Sequence, residues 1–272
     1  MSRRRTPDPV VARAGGLTVL RDPLRPTGRL LLQDDMDASY IDLADAQHLE
    51  FDYLRWARIV LQSAGARRVL HVGGAACALA RALVASDPDG RHEVVEVDPA
   101  VLDIAREHLG LRRMPGLRVR VGDGRERVAA RADGSVDAIV LDAFVGARVP
   151  AHLVTVEALA DAARVAPLTV VNIVDTRTLD ATWSIAAALQ MAYPSVAALG
   201  ARGLRGGNVV LIGSADPLPW DRITARAAAD RSPARLVAPA DVARQTLGRI
   251  PRHDPDGEPS AGAAPDVPPR AT

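Results

Sequence analysis

The sequence predicts an α/β protein: a doubly wound, mainly parallel sheet with an antiparallel edge strand, preceded by a small β-hairpin element. Three observations carry this. Apolar strand-like runs alternate with helical patterns from Arg67 onward, a glycine turn follows the first of those runs, and a carboxylate closes the second. Such alternation means strands covered by helices on both faces.

The runs are Arg68 to Val72, Glu93 to Val97, Leu117 to Val121, Val136 to Leu141, Leu168 to Val174 and Asn208 to Ile212. Helical spacing falls between them, over Ala78 to Ala85, Val101 to Leu109, Val156 to Val165 and Leu179 to Met191. Asp98-Pro99 supplies a helix cap followed by proline at the first helical position. Upstream, short apolar runs between Leu17 and Ile41, separated by Pro, Gly and Asp, read as the β-hairpin element of residues 16–48. A helix from Leu49 to Ser63 follows and opens a domain of residues 49–215. One or two surface helices are expected over 222–248, within a helical segment of residues 216–250. Residues 1–15 and 251–272 carry Arg, Pro, Gly and Ala without periodicity and are expected to lack fixed structure.

Composition narrows the functional classes. The chain has 272 residues, 48% of them hydrophobic and only 3% aromatic, so the core is aliphatic and stacking platforms for nucleic-acid bases are scarce. A formal net charge of +1, with no basic stripe beyond Arg3-Arg4-Arg5, argues against a nucleic-acid partner. The single cysteine, Cys77, excludes an internal disulfide and a cysteine-cage zinc site. No long apolar run opens the chain, so neither signal peptide nor membrane contact is expected, and a cytoplasmic location is the default.

The residues that can carry chemistry sit at strand ends. Val69-Leu70-His71-Val72 runs into Gly73-Gly74-Ala75-Ala76-Cys77 and a helix. This is the crevice where doubly wound sheets bind ligands; glycine admits close backbone approach and the helix start offers free N–H donors. A Gly-Gly turn also serves packing alone. Glu96 lies 23 positions after Gly73, the spacing of an acid that accepts hydrogen bonds from ribose hydroxyls. Asp123, between Gly122 and Gly124, ends the third strand toward the same crevice, where an adenine amino group suits it. Asp142 follows a buried apolar run, so its carboxylate needs a partner: beside a cation it stabilises charge or accepts a proton from an attacking amine. His71 reads as a core or subunit-contact residue, whereas Tyr40, His48 and His152 flank the crevice as substrate-side candidates. No metal-ligand spacing, Gly-x-Ser-x-Gly elbow or Gly-x-x-x-x-Gly-Lys loop occurs, so no metal is expected.

Together, Val69 to Gly74, Val95-Glu96-Val97-Asp98-Pro99, Val121 to Arg125 and Asp137 to Phe144 resemble the spermidine synthase family, over residues 29–215. Val149 to Thr155 resembles the loop after strand four in its bacterial branch. The resemblance implies a Rossmann-like class I AdoMet methyltransferase fold and an AdoMet-type co-substrate: decarboxylated AdoMet in the aminopropyltransferases, AdoMet in related methyltransferases. It implies that Gly73, Gly74 and Gly124 line the cofactor, Glu96 holds its ribose and Asp123 its adenine. Asp142 matches the aspartate that deprotonates the attacking amine. A homodimer is implied as well.

Departures fall on the substrate side. Ala76 stands where the family carries an aspartate, Val145 replaces the second aspartate of Asp-x-x-Asp, His48-Leu49 replaces Tyr-Gln, and Ala38 replaces Gln. Losing acceptors removes charge-assisted binding that a polyamine needs. The leading reading is therefore a transferase moving an aminopropyl group from a sulfonium nucleoside to an amine acceptor, which need not be the family's usual one. Alternatives are an AdoMet-dependent methyltransferase and a non-catalytic nucleotide-binding or scaffold homologue. An NAD-dependent oxidoreductase ranks below these, because the glycine turn lacks Gly-x-Gly-x-x-Gly spacing.

Overall fold

The computed structural model describes residues 9–255 except 202, 203 and 205. The chain opens with β1 (Val10–Ala14), β2 (Leu17–Arg21), β3 (Gly28–Gln33) and β4 (Met36–Asp42), a four-stranded antiparallel sheet in the order β1-β2-β3-β4. The expected hairpin is thus a larger sheet, and it starts at Val10, inside the stretch read as unstructured; residues 1–8 lie outside the described residues. Leu17, Val19, Leu31 and Ile41 alternate along these strands and are buried, which is what fixes the register. Asp34 and Asp35 both adopt positive φ, 49° and 63°, and supply the tight turn between β3 and β4.

Next come α1 (Asp52–Ser63), β5 (Arg68–Gly73), α2 (Ala78–Ser86), β6 (Arg91–Glu96), α3 (Pro99–His108), β7 (Leu117–Val121), α4 (Gly124–Ala129) and β8 (Ala138–Asp142). They are followed by α5 (Val156–Val165), β9 (Leu168–Asp175), α6 (Asp180–Ala192), β10 (Ser195–Ala201), β11 (Gly207–Ser214), α7 (Trp220–Ala228), β12 (Ala234–Val237) and α8 (Pro239–Gln245). Eight strands form one sheet in the order β12-β10-β11-β9-β8-β5-β6-β7. The five from β9 to β7 run parallel, while β11, β10 and β12 pair antiparallel at one end. The antiparallel part is therefore three strands deep, and β12 falls within the segment 216–250 read as helical, between the two helices α7 and α8.

Strand side chains alternate between two cores. Val69, Val94, Val210 and Ile212 face a core shared with α1, α2, α3, α7 and the small sheet. Leu70, Val72, Val95, Val209 and Leu211 face a second core built on α4, α5, α6 and α8. The inner parallel strands β5, β8 and β9 are thus buried on both sides, which explains their apolar runs, whereas the edge strand β7, Leu-Arg-Val-Arg-Val, keeps its arginines exposed. Asp98 caps α3 by accepting from the Ala100 N–H at 2.9 Å, as the Asp-Pro pair predicts. At the carboxyl end residues 251–255, part of the stretch 251–272 expected to lack fixed structure, are held against α5. His253 contacts Glu157 at 2.8 Å, and the Asp254 N–H donates to the same carboxylate at 2.9 Å. Residues 256–272 lie outside the described residues. Among the described residues no helix is long and apolar enough to cross a membrane.

Candidate active site

The site lies at the carboxyl ends of the parallel strands. Register aligns Gly73 with Asp142 across β5 and β8, and Glu96 with Val121 across β6 and β7. Gly73 (φ 77°) and Gly74 (φ 96°) turn the chain out of β5. A Cβ on Gly73 would sit 2.5 Å from the Asp142 backbone carbonyl, so only glycine lets the two strand ends close together. A Cβ on Gly74 would meet nothing nearer than the Asp142 Oδ2, 4.0 Å away, which leaves this backbone open to a ligand. The turn continues through Ala75 (φ 45°) and Cys77 (φ 62°), left-handed residues that raise α2 into place. Backbone strain held at such positions marks sites the surrounding fold over-determines. Cys77 is buried and its thiol is pushed up to about 12, so it stays protonated.

Asp142 ends β8 with its carboxyl held from two directions. The Asn172 amide on β9 donates to Oδ1 at 2.9 Å, and the Tyr53 hydroxyl on α1 donates to Oδ2 at 3.3 Å. The Asn208 amide on β11 in turn donates to the Asn172 Oδ1 at 3.0 Å, so a chain of amides crosses three strands to reach the carboxylate. Burial pushes Asp142 up to about 6, and the two donors pull it partly back. Tyr53 is held well above its usual range by burial and by the Asp142 carboxylate. Sequence reasoning missed Tyr53, Asn172 and Asn208. Asn172 did carry a signal, a lone amide within the buried apolar run of β9, which needs a partner.

Glu96 is 9% exposed at the end of β6. Burial raises its carboxyl, and the N–H groups of Asp98, Val97 and Ala75 partly offset that by donating to it. The Asp98 contact, 3.2 Å to Oε1, leaves further lone pairs free. Asp123 caps α4, accepting from the Glu126 N–H at 3.0 Å, and meets the His152 Nε2 at 3.2 Å. His152 holds Asp123 below the usual carboxylate range. His152 therefore sits beside Asp123, not beside Asp142. Gly124 packs on Val72: an added Cβ would lie 2.1 Å from a Val72 methyl, so its absence is a demand of packing.

Tyr40 and His48 are not brought to Asp142 by any hydrogen bond. The buried Tyr40 donates to Asp22 at 2.7 Å within the small sheet, and His48 pairs with Glu50 at 2.9 Å. Their rings lie 5.7 Å apart. Ala38, Ser39, Tyr53, His71 and Val94 line a narrow cavity that reaches Gly73, Gly74 and Asp142. His71 meets His92 at 3.2 Å in the core, and burial keeps both imidazoles neutral. Among the described residues no group of three or more His, Cys, Asp or Glu is placed to hold a metal ion.

No family model matches the chain. A 94-residue stretch, 34% of the chain, is 34% identical to a polyamine aminopropyltransferase of Vibrio vulnificus and spans 31% of that relative. The fold superposes on a probable spermidine synthase from Corynebacterium glutamicum with a TM-score of 0.79 and 30% identity, covering 88% of this chain and 92% of that one. A spermidine synthase in complex with the transition state analogue AdoDATO gives a TM-score of 0.61 at 16% identity, over 88% of this chain and 87% of that one. Human methyltransferase-like protein 13 in complex with SAH shares the Rossmann-like fold, with a TM-score of 0.51 at 19% identity, over 75% and 94% of the two chains. With a 30% identical relative matched over 92% of its length at a TM-score of 0.79, the chain belongs to the spermidine synthase family.

Proposed function

We propose that the chain transfers an aminopropyl group from decarboxylated AdoMet to an amine acceptor. The observation that carries this is the setting of Asp142: a buried carboxylate, braced by Tyr53 and Asn172, beside a glycine turn whose backbone is open. The residues present fit a sulfonium nucleoside. Gly73 and Gly74 give it room along the backbone, Glu96 keeps lone pairs for its ribose hydroxyls, and Asp123 with His152 lies at the adenine end. When bound, the donor supplies a carbon activated for displacement by its bond to positively charged sulfur.

The chain's own part is alignment, desolvation and proton acceptance. Asp142 holds the acceptor nitrogen with its lone pair toward the donor carbon. As the C–N bond forms, the C–S bond breaks and sulfur keeps the electron pair, leaving neutral methylthioadenosine. The surplus proton on nitrogen passes to Asp142 and then to solvent. A carboxyl at about 6 is ionised at neutral pH yet takes up a proton more readily than an ordinary aspartate. Among the polar groups lining the cavity beside it, Asp142 is the one carboxylate, which favours an acceptor presenting a single cationic amine to this wall.

Ala76 keeps a second reading in view. This fully buried residue brings no charge to the donor's tail, which suits methyl transfer from AdoMet equally well. The test is to incubate the protein with decarboxylated AdoMet and a panel of mono- and diamines, and separately with AdoMet. Release of methylthioadenosine, reduced at least about 100-fold in a folded Asp142→Asn variant, is expected from loss of the proton acceptor. Formation of S-adenosylhomocysteine instead would establish methyl transfer, and no product from either donor would contradict both readings.

A further inference from the structure

A second, wide groove lies at the opposite end of the sheet. It has a volume of about 1150 Å³ and is bounded by the amino ends of β5 and β6, by β7, by the loop that precedes β7, and by the loop between α4 and β8. Strands β6 and β8, of six and five residues, separate it from Glu96 and Asp142, roughly 17–20 Å at ~3.3 Å per residue. Seven of its lining side chains are arginines and one, Glu93, is a carboxylate.

Much of that positive charge is uncompensated. Arg68 and Arg106 are paired with Asp137 and Asp103. Arg112, Arg113 and Arg118 have no hydrogen-bond or ion-pair partner among the described residues, and Arg91 donates only to backbone carbonyls. Glu93 is already shared by Arg120, Arg127 and Arg131, with N···O distances of 3.5, 2.6 and 3.0 Å. Two buried donor atoms on the same wall, Arg131 Nε and Ser135 Oγ, have no acceptor among the described residues. Buried donors without acceptors cost free energy unless a ligand supplies one.

We propose that this groove binds a small molecule carrying two or more phosphate groups. Guanidinium forks match phosphate oxygens two at a time, and several unpaired forks around one concavity call for several negative charges on one ligand. The volume suits a small molecule, for which pockets of about 300–1000 Å³ are typical. Leu111, Met114 and Val136 give the groove an apolar floor for an organic portion. No Phe, Tyr or Trp lines it, so bases of a nucleic-acid strand find nothing to stack on.

The test is calorimetric titration of the full chain with tripolyphosphate at fixed ionic strength, alongside a short DNA duplex. Saturable binding of one tripolyphosphate per chain is expected, weakened at least tenfold in Arg113→Ala/Arg118→Ala, whose exposed side chains support no core. Ser135→Ala should weaken it severalfold while the melting temperature is held. Saturating methylthioadenosine should leave the affinity unchanged, since the two sites lie at opposite ends of the sheet. Absent or non-saturable binding, or equal affinity in the double variant, would overturn the proposal, as would tighter binding of the duplex that is lost in the same variant.

Discussion

Asp142 sets the pH behaviour of the site. Its folded-state acidity, about 6, is raised above the ordinary aspartate value of 3.8 by burial. The folded protein therefore binds this proton more tightly than the unfolded chain does. That contribution to stability is fully present below pH 3.8 and is lost as pH rises through about 6. An Asp142→Asn variant keeps the shape without the charge. It should match the wild type near pH 4 and exceed it at pH 8 by on the order of 1–3 kcal/mol. Thermal melts at the two pH values check this, and a variant less stable at pH 8 would mean that the carboxylate is better solvated than its burial implies. At this scale the sequence exposed Glu96 and Asp142, because each closes an apolar run where a charge is conspicuous, and Asp123, because it stands between two glycines at a strand end. It hid Tyr53 and Asn172, 89 and 30 positions away from Asp142, because only strand register and helix packing bring them to it.

Turns decide how the elements meet. The β5–α2 turn works only with Gly73 in a positive-φ conformation and with no Cβ against the Asp142 carbonyl. Gly73→Ala should cost at least about 2–3 kcal/mol, combining the left-handed penalty with a clash against backbone that cannot swing aside. Urea denaturation measures it, and a loss under about 0.5 kcal/mol would show that the strand ends can part. Strands such as β8 and β9 were legible because two-sided burial writes continuous apolar runs, and α3 because Asp98-Pro99 marks a helix start. Four elements were not, and the first, β1, falls in a stretch read as unstructured. β10 is a run of small residues, Ser-Val-Ala-Ala-Leu-Gly-Ala, with little strand propensity of its own. The six-residue α4 is too short to show a period, and the four-residue β12 is held in place by pairing with β10.

Across the whole molecule, the segment after β11 reaches back to hold α1. Arg55 on α1 is 6% exposed at its side chain and pairs with Asp230 at 2.9 Å. The Trp56 indole donates to the Ser232 carbonyl at 3.0 Å, and Arg226 reaches Gln62 at 2.8 Å. Because α1 carries Tyr53, residues 226–232 indirectly position the hydroxyl that braces Asp142. Asp230→Ala would strand a buried guanidinium, so a loss of about 3–5 kcal/mol is expected, readable as a shifted denaturation midpoint. An unchanged midpoint would mean that solvent reaches Arg55. In sequence this segment reads as surface helix, since nothing in Arg226 or Asp230 names a partner 163 to 175 positions away.

The central claim is that the strand-end crevice binds a sulfonium nucleoside through Glu96. Calorimetric titration with decarboxylated AdoMet, AdoMet, methylthioadenosine and NAD, on the wild type and on Glu96→Ala, tests it most directly. The wild type should bind decarboxylated AdoMet or methylthioadenosine best, with NAD weakest, and the folded variant should lose roughly 1–3 kcal/mol through the missing ribose hydrogen bonds. No binding of any of these nucleosides, or equal affinity in wild type and variant, would contradict it.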